Sequence, residues 1–486
     1  MLFNSYIFIL FFLPVALILY FGLNRWGRET AAKLVLIGMS LWFYAYFHIS
    51  YLILIVGSIL FNFICSKEIL NQQKKGPRKA LLIFGILANL SVIFYFKYFN
   101  FFLENMNVLF RTALPVKEIL MPLGISFFTF QQVSYLADSY REETKEYGLV
   151  DYALFVSFFP QLVAGPIVLH QEMIPQFQAL ERKKLNQDKL AQGIRLFSIG
   201  LFKKVMIADV LGSGADWGFG NPALLTGPDA VLVSLLYTLQ IYFDFSGYCD
   251  MACGIANMFH FELPLNFLSP YKSDSILEFW ERWHISLTRF LRKYVYIPLG
   301  GNRKGTVRTM INIMIVFLVS GIWHGAAWTF ILWGLLHGAA SVLCRLFRSL
   351  WDKVPRLLRI LGTFVFVDLA WILFRADSLA DAGVIFSKIF SPWEFRISGG
   401  LLERFALLEF TYVEEHVSFL GRTAALYPGL HLGIILITAL LIIWIPRNCH
   451  EKKFVPTAWN GAGSVILLVW SILSFSGLSA FLYFNF

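Results

Sequence analysis

Apolar runs long enough to cross a lipid bilayer recur along the whole chain, near residues 5–23, 31–47, 50–65, 80–97, 119–136, 150–168, 192–212, 229–246, 309–343, 357–374, 431–446 and 463–483. A helix needs about 20 mostly apolar residues to span the hydrocarbon, where only an intact helix satisfies its own backbone polar groups. The stretches between the runs leave no room for a large soluble domain. A single polytopic, all-α integral membrane domain over residues 1–486 is therefore expected. The composition agrees, with 57% hydrophobic and 15% charged residues against about 25% charged in a soluble domain.

Charge orients the runs. No Lys or Arg precedes the first run, whereas Arg25 and Arg28 follow it. That pattern does not fit a cleavable signal, and it predicts the N-terminus outside and residues 24–30 inside. Basic loops at 67–79, 181–184, 292–308, 345–359 and 447–453 are expected on the same cytoplasmic face. The net charge of +10 thus reflects topology and attraction to anionic membrane lipids. No basic soluble module exists to bind nucleic acid. The five cysteines, Cys65, Cys249, Cys253, Cys344 and Cys449, are scattered without zinc-ribbon spacing, so structural thiols and no metal site are expected.

Three regions break the pattern of one straight helix per run. In FFPQLVAGPIVLH (158–170), prolines and a glycine interrupt the apolar run. The next loop, ERKK, is basic although parity places it outside; a re-entrant segment resolves both conflicts. Residues 242–308 combine many aromatics with Asp244, Asp250, Glu262, Lys272, Glu278, Glu281, Arg282, Arg289, Arg292 and Lys293, as expected of a cytoplasmic layer folded partly into the membrane. The third region, Thr309 to Leu343, is too long for one span of roughly 17–25 residues and has basic clusters on both sides. Its middle must turn back, and Gly321 and Gly325 mark His324 as the break.

His324 and His337 are the only titratable residues of that run. On one continuous helix their 13-residue separation would mean roughly 20 Å of rise and opposite faces, so a shared metal is not expected. Each could make an interhelical hydrogen bond, yet ionisable groups within a membrane are functional candidates. His284, in FWERWHISLTRF, is the natural second ring; a packed histidine paired with Glu281 explains it equally well. A near-neutral imidazole can take a proton from a hydroxyl and return it to a leaving thiolate, as acyl transfer requires. The loop IPLGGNRKG places Asn302, Arg303 and Lys304 after two glycines, a composition that can hold phosphate groups. Positive-inside charge accounts for the same residues. The sequence contains neither GxxxxGK[ST] nor GxGxxG, so ATPase and nicotinamide chemistry have no support.

The strings PLGISFFTFQQVSYLADSYR (122–141), FFPQLVAGPIVLHQEMIPQF (158–177), LFKKVMIAD (201–209), YFDFSGYCDMACGIANMF (242–259), PYKSDSILEFWERWHISLTRFLRKYVYIPLGGNRKG (270–305), SGIWHGAAWTFILWGLLHG (320–338) and WILFRADSLADA (371–382) make the chain recognisable. It resembles the membrane-bound O-acyltransferase family, in the bacterial branch of the alginate O-acetyltransferase membrane subunit, with the core motifs spanning 122–382. The resemblance implies a ring of helices around a thin centre, with re-entrant segments, an outer funnel and a cytoplasmic tunnel. It implies transfer of an acyl group, acetyl in this branch, from cytosolic acetyl-CoA toward an extracytoplasmic polysaccharide, with no bound cofactor. The family's active-site His matches His324, a second upstream His matches His284, and His337 matches a further histidine of the branch. Arg289, Arg292, Lys293, Asn302, Arg303 and Lys304 would face the donor. A separate extracytoplasmic partner of the SGNH-hydrolase type, with a Ser-His-Asp site, would complete transfer, and the enzyme would sit in the bacterial inner membrane. D-alanyl transfer to teichoic acid, acetylation of peptidoglycan or cellulose, and a transporter or channel are the alternatives; no inverted repeat supports transport. Segment 391–430 has the mixed character of an interfacial piece, either a partner-docking surface or a connector.

Overall fold

The Thr226 hydroxyl accepts from the Asp229 N–H and the Asp229 carboxylate accepts from the Thr226 N–H, a capping box with Pro228 in the first turn. These caps satisfy donors at the helix start that have no partner within the helix. In the computed structural model they open a 32-residue helix, Gly227–Met258, most of whose residues are buried. The structure describes the chain apart from residues 393, 447, 452–454, 476–480 and 483–486. Parts of the last expected run, of the RNCHEKK loop and of the aromatic C-terminus therefore lie outside the described residues.

The described residues form helices joined by turns, with no strand; an isolated bridge pairs Phe267 with Trp283. Seven of these helices are long and apolar enough to cross a membrane: Phe8–Arg25, Tyr51–Asn71, Lys75–Phe110, Gly227–Met258, Thr306–His324, Trp328–Leu346 and Arg356–Arg375. The expected run at 80–97 belongs to a longer helix, Lys75–Phe110, which includes a π-helical turn at Phe94–Tyr98.

The Gly227–Met258 helix packs against Gln187–Phe202 through reciprocal glycine contacts. A Cβ on Gly193 would lie 2.6 Å from the Gly254 carbonyl oxygen, and one on Gly200 would lie 2.5 Å from that of Gly247. Without hydrophobic drive between helices in lipid, such close backbone approach supplies the packing. It also corrects the expected layer over 242–308: residues 242–258 continue the buried helix. Their acidic groups are tolerable because the following π-turn, Lys203–Ala208, faces them with ammonium groups. Lys204 Nζ lies 2.6 Å from Asp244 and 2.8 Å from Asp209, and Lys203 Nζ lies 2.6 Å from Asp250. A buried charge persists only when it is paired in this way.

Residues 158–170 are buried throughout and are helical only at Phe159–Leu162 until the next helix begins at His170. Their backbone finds side-chain partners: Phe159 N–H donates to Ser40 Oγ, Ile167 N–H to Ser286 Oγ and Leu169 N–H to Glu172. Irregular backbone inside a membrane protein needs this cover. Lys183 of ERKK pairs with Glu29, so that loop shares one end of the bundle with residues 24–30, as its charge requires.

Candidate active site

The expected break at His324 is present. One helix ends there (Thr306–His324), Gly325 and Ala327 are extended, and the second helix runs from Trp328 to Leu346. Glycines at 321 and 334 set the crossing. A Cβ on Gly321 would fall 2.4 Å from the Phe330 carbonyl oxygen, and one on Gly334 would fall 2.4 Å from that of Phe317. At Gly325 a Cβ would strike the Phe330 ring at 2.1 Å. The GxxxG pairs of SGIWHGAAWTFILWGLLHG, 321/325 and 334/338, thus serve close approach, and the turn they permit points His324 inward.

The same turn brings both histidines against one aromatic ring. Trp333 stands between them, edge-on to His324 with ring centroids 5.2 Å apart and 4.9 Å from His337. Phe374 closes on His324 at 5.1 Å, and Trp371 stacks on Trp333 at 5.7 Å. His284 arrives from another part of the chain, its ring centroid 6.5 Å from that of His324. All three imidazoles are buried. Aromatic side chains thus enclose the cluster of rings around His324.

His284 is held by the backbone, and Glu281, which lies exposed at the surface, is not its partner. Its φ of 46° and ψ of 52° are left-handed, a conformation that costs a non-glycine residue roughly 1–2 kcal/mol. The bridge between Phe267 and Trp283 and the neighbouring Asn266 over-determine it. Asn266 Oδ1 accepts from the Ser286 N–H and hydroxyl and lies 3.3 Å from His284 Nδ1, while Asn266 C=O accepts from Ile285 N–H. Asn266 Nδ2 also donates to Cys249 Sγ. His337 Nδ1 accepts from Trp280 Nε1 at 3.3 Å, which assigns the proton of a neutral His337 to Nε2.

Trp280 belongs to the wall of a cavity of about 670 Å³. Arg292, Asn302, Arg303, Lys304 and Arg345 line it, together with Phe317 and Ser320. Ser320 precedes His324 by one helical turn, on the same face. Arg289 and Lys293 lie apart from this wall: Arg289 grips Glu172 with two nitrogens, and Lys293 bridges Asp138 and Glu143. A second cavity of about 680 Å³ touches the box from behind Phe330 and Phe374 and is lined by Lys204, Asp209, Asp216, Arg375 and Asp377.

Four participants were not among the expected residues. Arg345, Trp280 and Asn266 come from scattered positions, of which only Trp280 falls within a motif string. Lys97, whose Nζ donates to the His324 carbonyl, had a signal, as the only charged residue between Lys79 and Glu104. Outside the site, Asp250, Cys449 and His450 present ligand atoms within 4.8 Å of one another, a grouping the scattered cysteine positions conceal. Lys203 already neutralises the shared carboxylate, so the cluster is an ion-paired clamp.

The model of the "MBOAT, membrane-bound O-acyltransferase family" matches residues 107–379. The chain belongs to this family. The match contains His284, His324, His337 and the basic loop, and it stops before segment 391–430. The peptidoglycan O-acetyltransferase of Helicobacter pylori is 39% identical across all of this chain and 98% of its own length. The probable alginate O-acetylase of Pseudomonas aeruginosa is 39% identical over 82% of this chain and 76% of its own. A teichoic acid D-alanyltransferase of Bacillus subtilis is 29% identical over 54% of this chain and 70% of its own. The protein is accordingly a multi-pass membrane O-acyltransferase.

Proposed function

We propose that the protein takes an acetyl group from acetyl-CoA at the cytoplasmic face and passes it, through the box around His324, toward hydroxyl groups of peptidoglycan outside the bacterial inner membrane. The observation that carries this reading is that His324 stands one turn from Ser320, which lines the first cavity, and against Phe374, which lines the second. End-to-end similarity to a peptidoglycan O-acetyltransferase supports that acceptor, whereas the D-alanyltransferase resemblance spans only about half of the chain.

In this reading Arg292, Asn302, Arg303, Lys304 and Arg345 hold the donor's phosphates, and its thioester arm passes Trp280 toward Ser320 and His324. Neutral His324 takes the proton of an acceptor hydroxyl as its oxygen attacks the thioester carbonyl. The imidazolium then gives that proton to the departing thiolate. His284 and His337 hold the box around this exchange. A separate SGNH-hydrolase-type protein outside the membrane supplies the acceptor serine hydroxyl and then esterifies the glycan. A ring of helices, a re-entrant 158–170 segment, an outer funnel and a cytoplasmic tunnel belong to the same reading.

The test is transfer of labelled acetyl from acetyl-CoA by purified protein with its partner. His324→Ala should abolish transfer while the protein still folds. Full transfer by that variant would remove His324 from the chemistry, and uptake without ester formation would favour a transporter.

A further inference from the structure

Three of the π-helical turns among the described residues carry a lysine: Phe94–Tyr98, Lys203–Ala208 and Arg292–Tyr296. A π-turn inserts one residue into a helix and re-aims the side chains around it, often at a functional site. In two of them the lysines meet carboxylates, Lys203 and Lys204 with Asp250 and Asp244, and Lys293 with Asp138. Lys97 differs. Its Nζ donates to the carbonyl oxygens of Trp323 at 2.7 Å and His324 at 2.9 Å. The next residue repeats the action: Tyr98 OH donates to the Ile322 carbonyl at 2.7 Å. Farther along the same helix, Asn105 accepts from Trp328 Nε1 across the turn.

The last carbonyls of a helix have no partners within it, and they carry the negative end of its dipole. A glycine cap or a hydroxyl could satisfy them more cheaply than a partly buried ammonium that makes no ion pair with a carboxylate among the described residues. Gly325, which is extended, gives its N–H to the Gly321 carbonyl, which leaves the Trp323 and His324 carbonyls to other donors. The cation therefore occupies the place of a C-cap at the residue whose orientation matters most.

We propose that Lys97 is a positioning residue for acyl transfer, its ammonium clamping the Trp323 and His324 carbonyls so that the turn presents the His324 imidazole to the two cavities. This rests on the reading of His324 as the acyl-transfer residue.

The experiment measures kcat and KM for acetyl-CoA with the full protein and its partner in nanodiscs, together with melting temperatures. Lys97→Met should lower kcat about 10²-fold, the effect of a misplacement of about 1 Å, with KM within about two-fold of the original. Lys97→Arg, which keeps the charge and donors, should recover at least about tenfold of that loss. Tyr98→Phe should lower kcat more mildly, and all three should melt within a few degrees of the parent. If Lys97→Met does not fold, Lys97→Gln, with donors but no charge, must fall between the parent and inactivity. Parental kcat in Lys97→Met or Lys97→Gln, a change confined to KM, or an arginine variant no better than the methionine one would overturn the inference. With His324→Ala inactive, those outcomes reject Lys97 alone; activity in His324→Ala rejects both readings.

Discussion

Replacing Gly334 by alanine adds one methyl group where the hairpin has no space. The new Cβ would lie 2.4 Å from the Phe317 carbonyl oxygen and 3.1 Å from Gly321 Cα, whereas ordinary contact begins at 3.4 Å. Neither neighbour is a flexible side chain, so the two hairpin helices must part by about 1 Å to restore contact. Gly321 is three residues from His324, and Trp333 is next to the substituted position. The displacement therefore falls on the box itself. Overpacking of this kind costs about 1–3 kcal/mol of stability, and a shift of about 1 Å at a reacting group costs about 10²-fold in rate. The control is Gly38→Ala, in the helix Glu29–Ala45, where nothing lies within 4 Å of the added methyl. Removing glycine from a helix interior gains roughly 0.5–1 kcal/mol, so this variant should keep its activity and melt no lower than the parent. Acetyl transfer and melting temperature in nanodiscs distinguish the two. Parental kcat in Gly334→Ala, with a melting temperature equal to that of Gly38→Ala, would show that close backbone approach does not set the hairpin.

The basic residues divide by position. Arg303→Met and Lys304→Met, in the cavity wall, should raise KM for acetyl-CoA several-fold, whereas Arg289→Met, which breaks the pair with Glu172, should lower the melting temperature and leave that KM unchanged. Asn266→Leu removes the acceptor for Ser286 and frees the left-handed turn at His284. Leaving buried donors unsatisfied costs about 1–3 kcal/mol, so a lower melting temperature and a lower kcat are expected together; a normal kcat in folded protein would refute the role given to Asn266. Burial alone would lower the His450 pKa, but Asp250 at 2.8 Å raises it from 6.5 to about 10. The fold therefore favours the imidazolium, and this contribution is complete below about pH 6.5 and disappears as the pH rises through about 10. The melting temperature should fall over that window more steeply in the parent than in His450→Gln.

Length, charge placement and glycine spacing were enough to expect a hairpin at 309–343, because a 35-residue apolar run between basic clusters has one way to keep both ends on the same side. The interrupted segment 158–170 was legible for a similar reason: proline and glycine remove helical hydrogen bonds, and a membrane protein must replace them. The motif strings pointed to the family, and through it to His324, His284 and His337. The acids at 244 and 250, by contrast, suggested a surface layer, since the lysines that neutralise them lie 40 and 47 residues away. Glu281 seemed the natural partner of His284 by helical spacing, but the helix stops at Arg282 and the left-handed turn gives the ring to Asn266.

What the sequence by itself determined is the membrane class and the points where helices break, both properties of transfer to lipid and of local backbone chemistry. Which side chains share the box was decided only by the tertiary structure. Trp333 could be placed between His324 and His337 only after two glycines let the helices touch. Lys97 could be recognised as the cap of the His324 helix only when a π-turn from 226 residues away brought its ammonium to those carbonyls. Contacts between distant segments depend on packing and long-range pairing, and no periodicity within either segment records them.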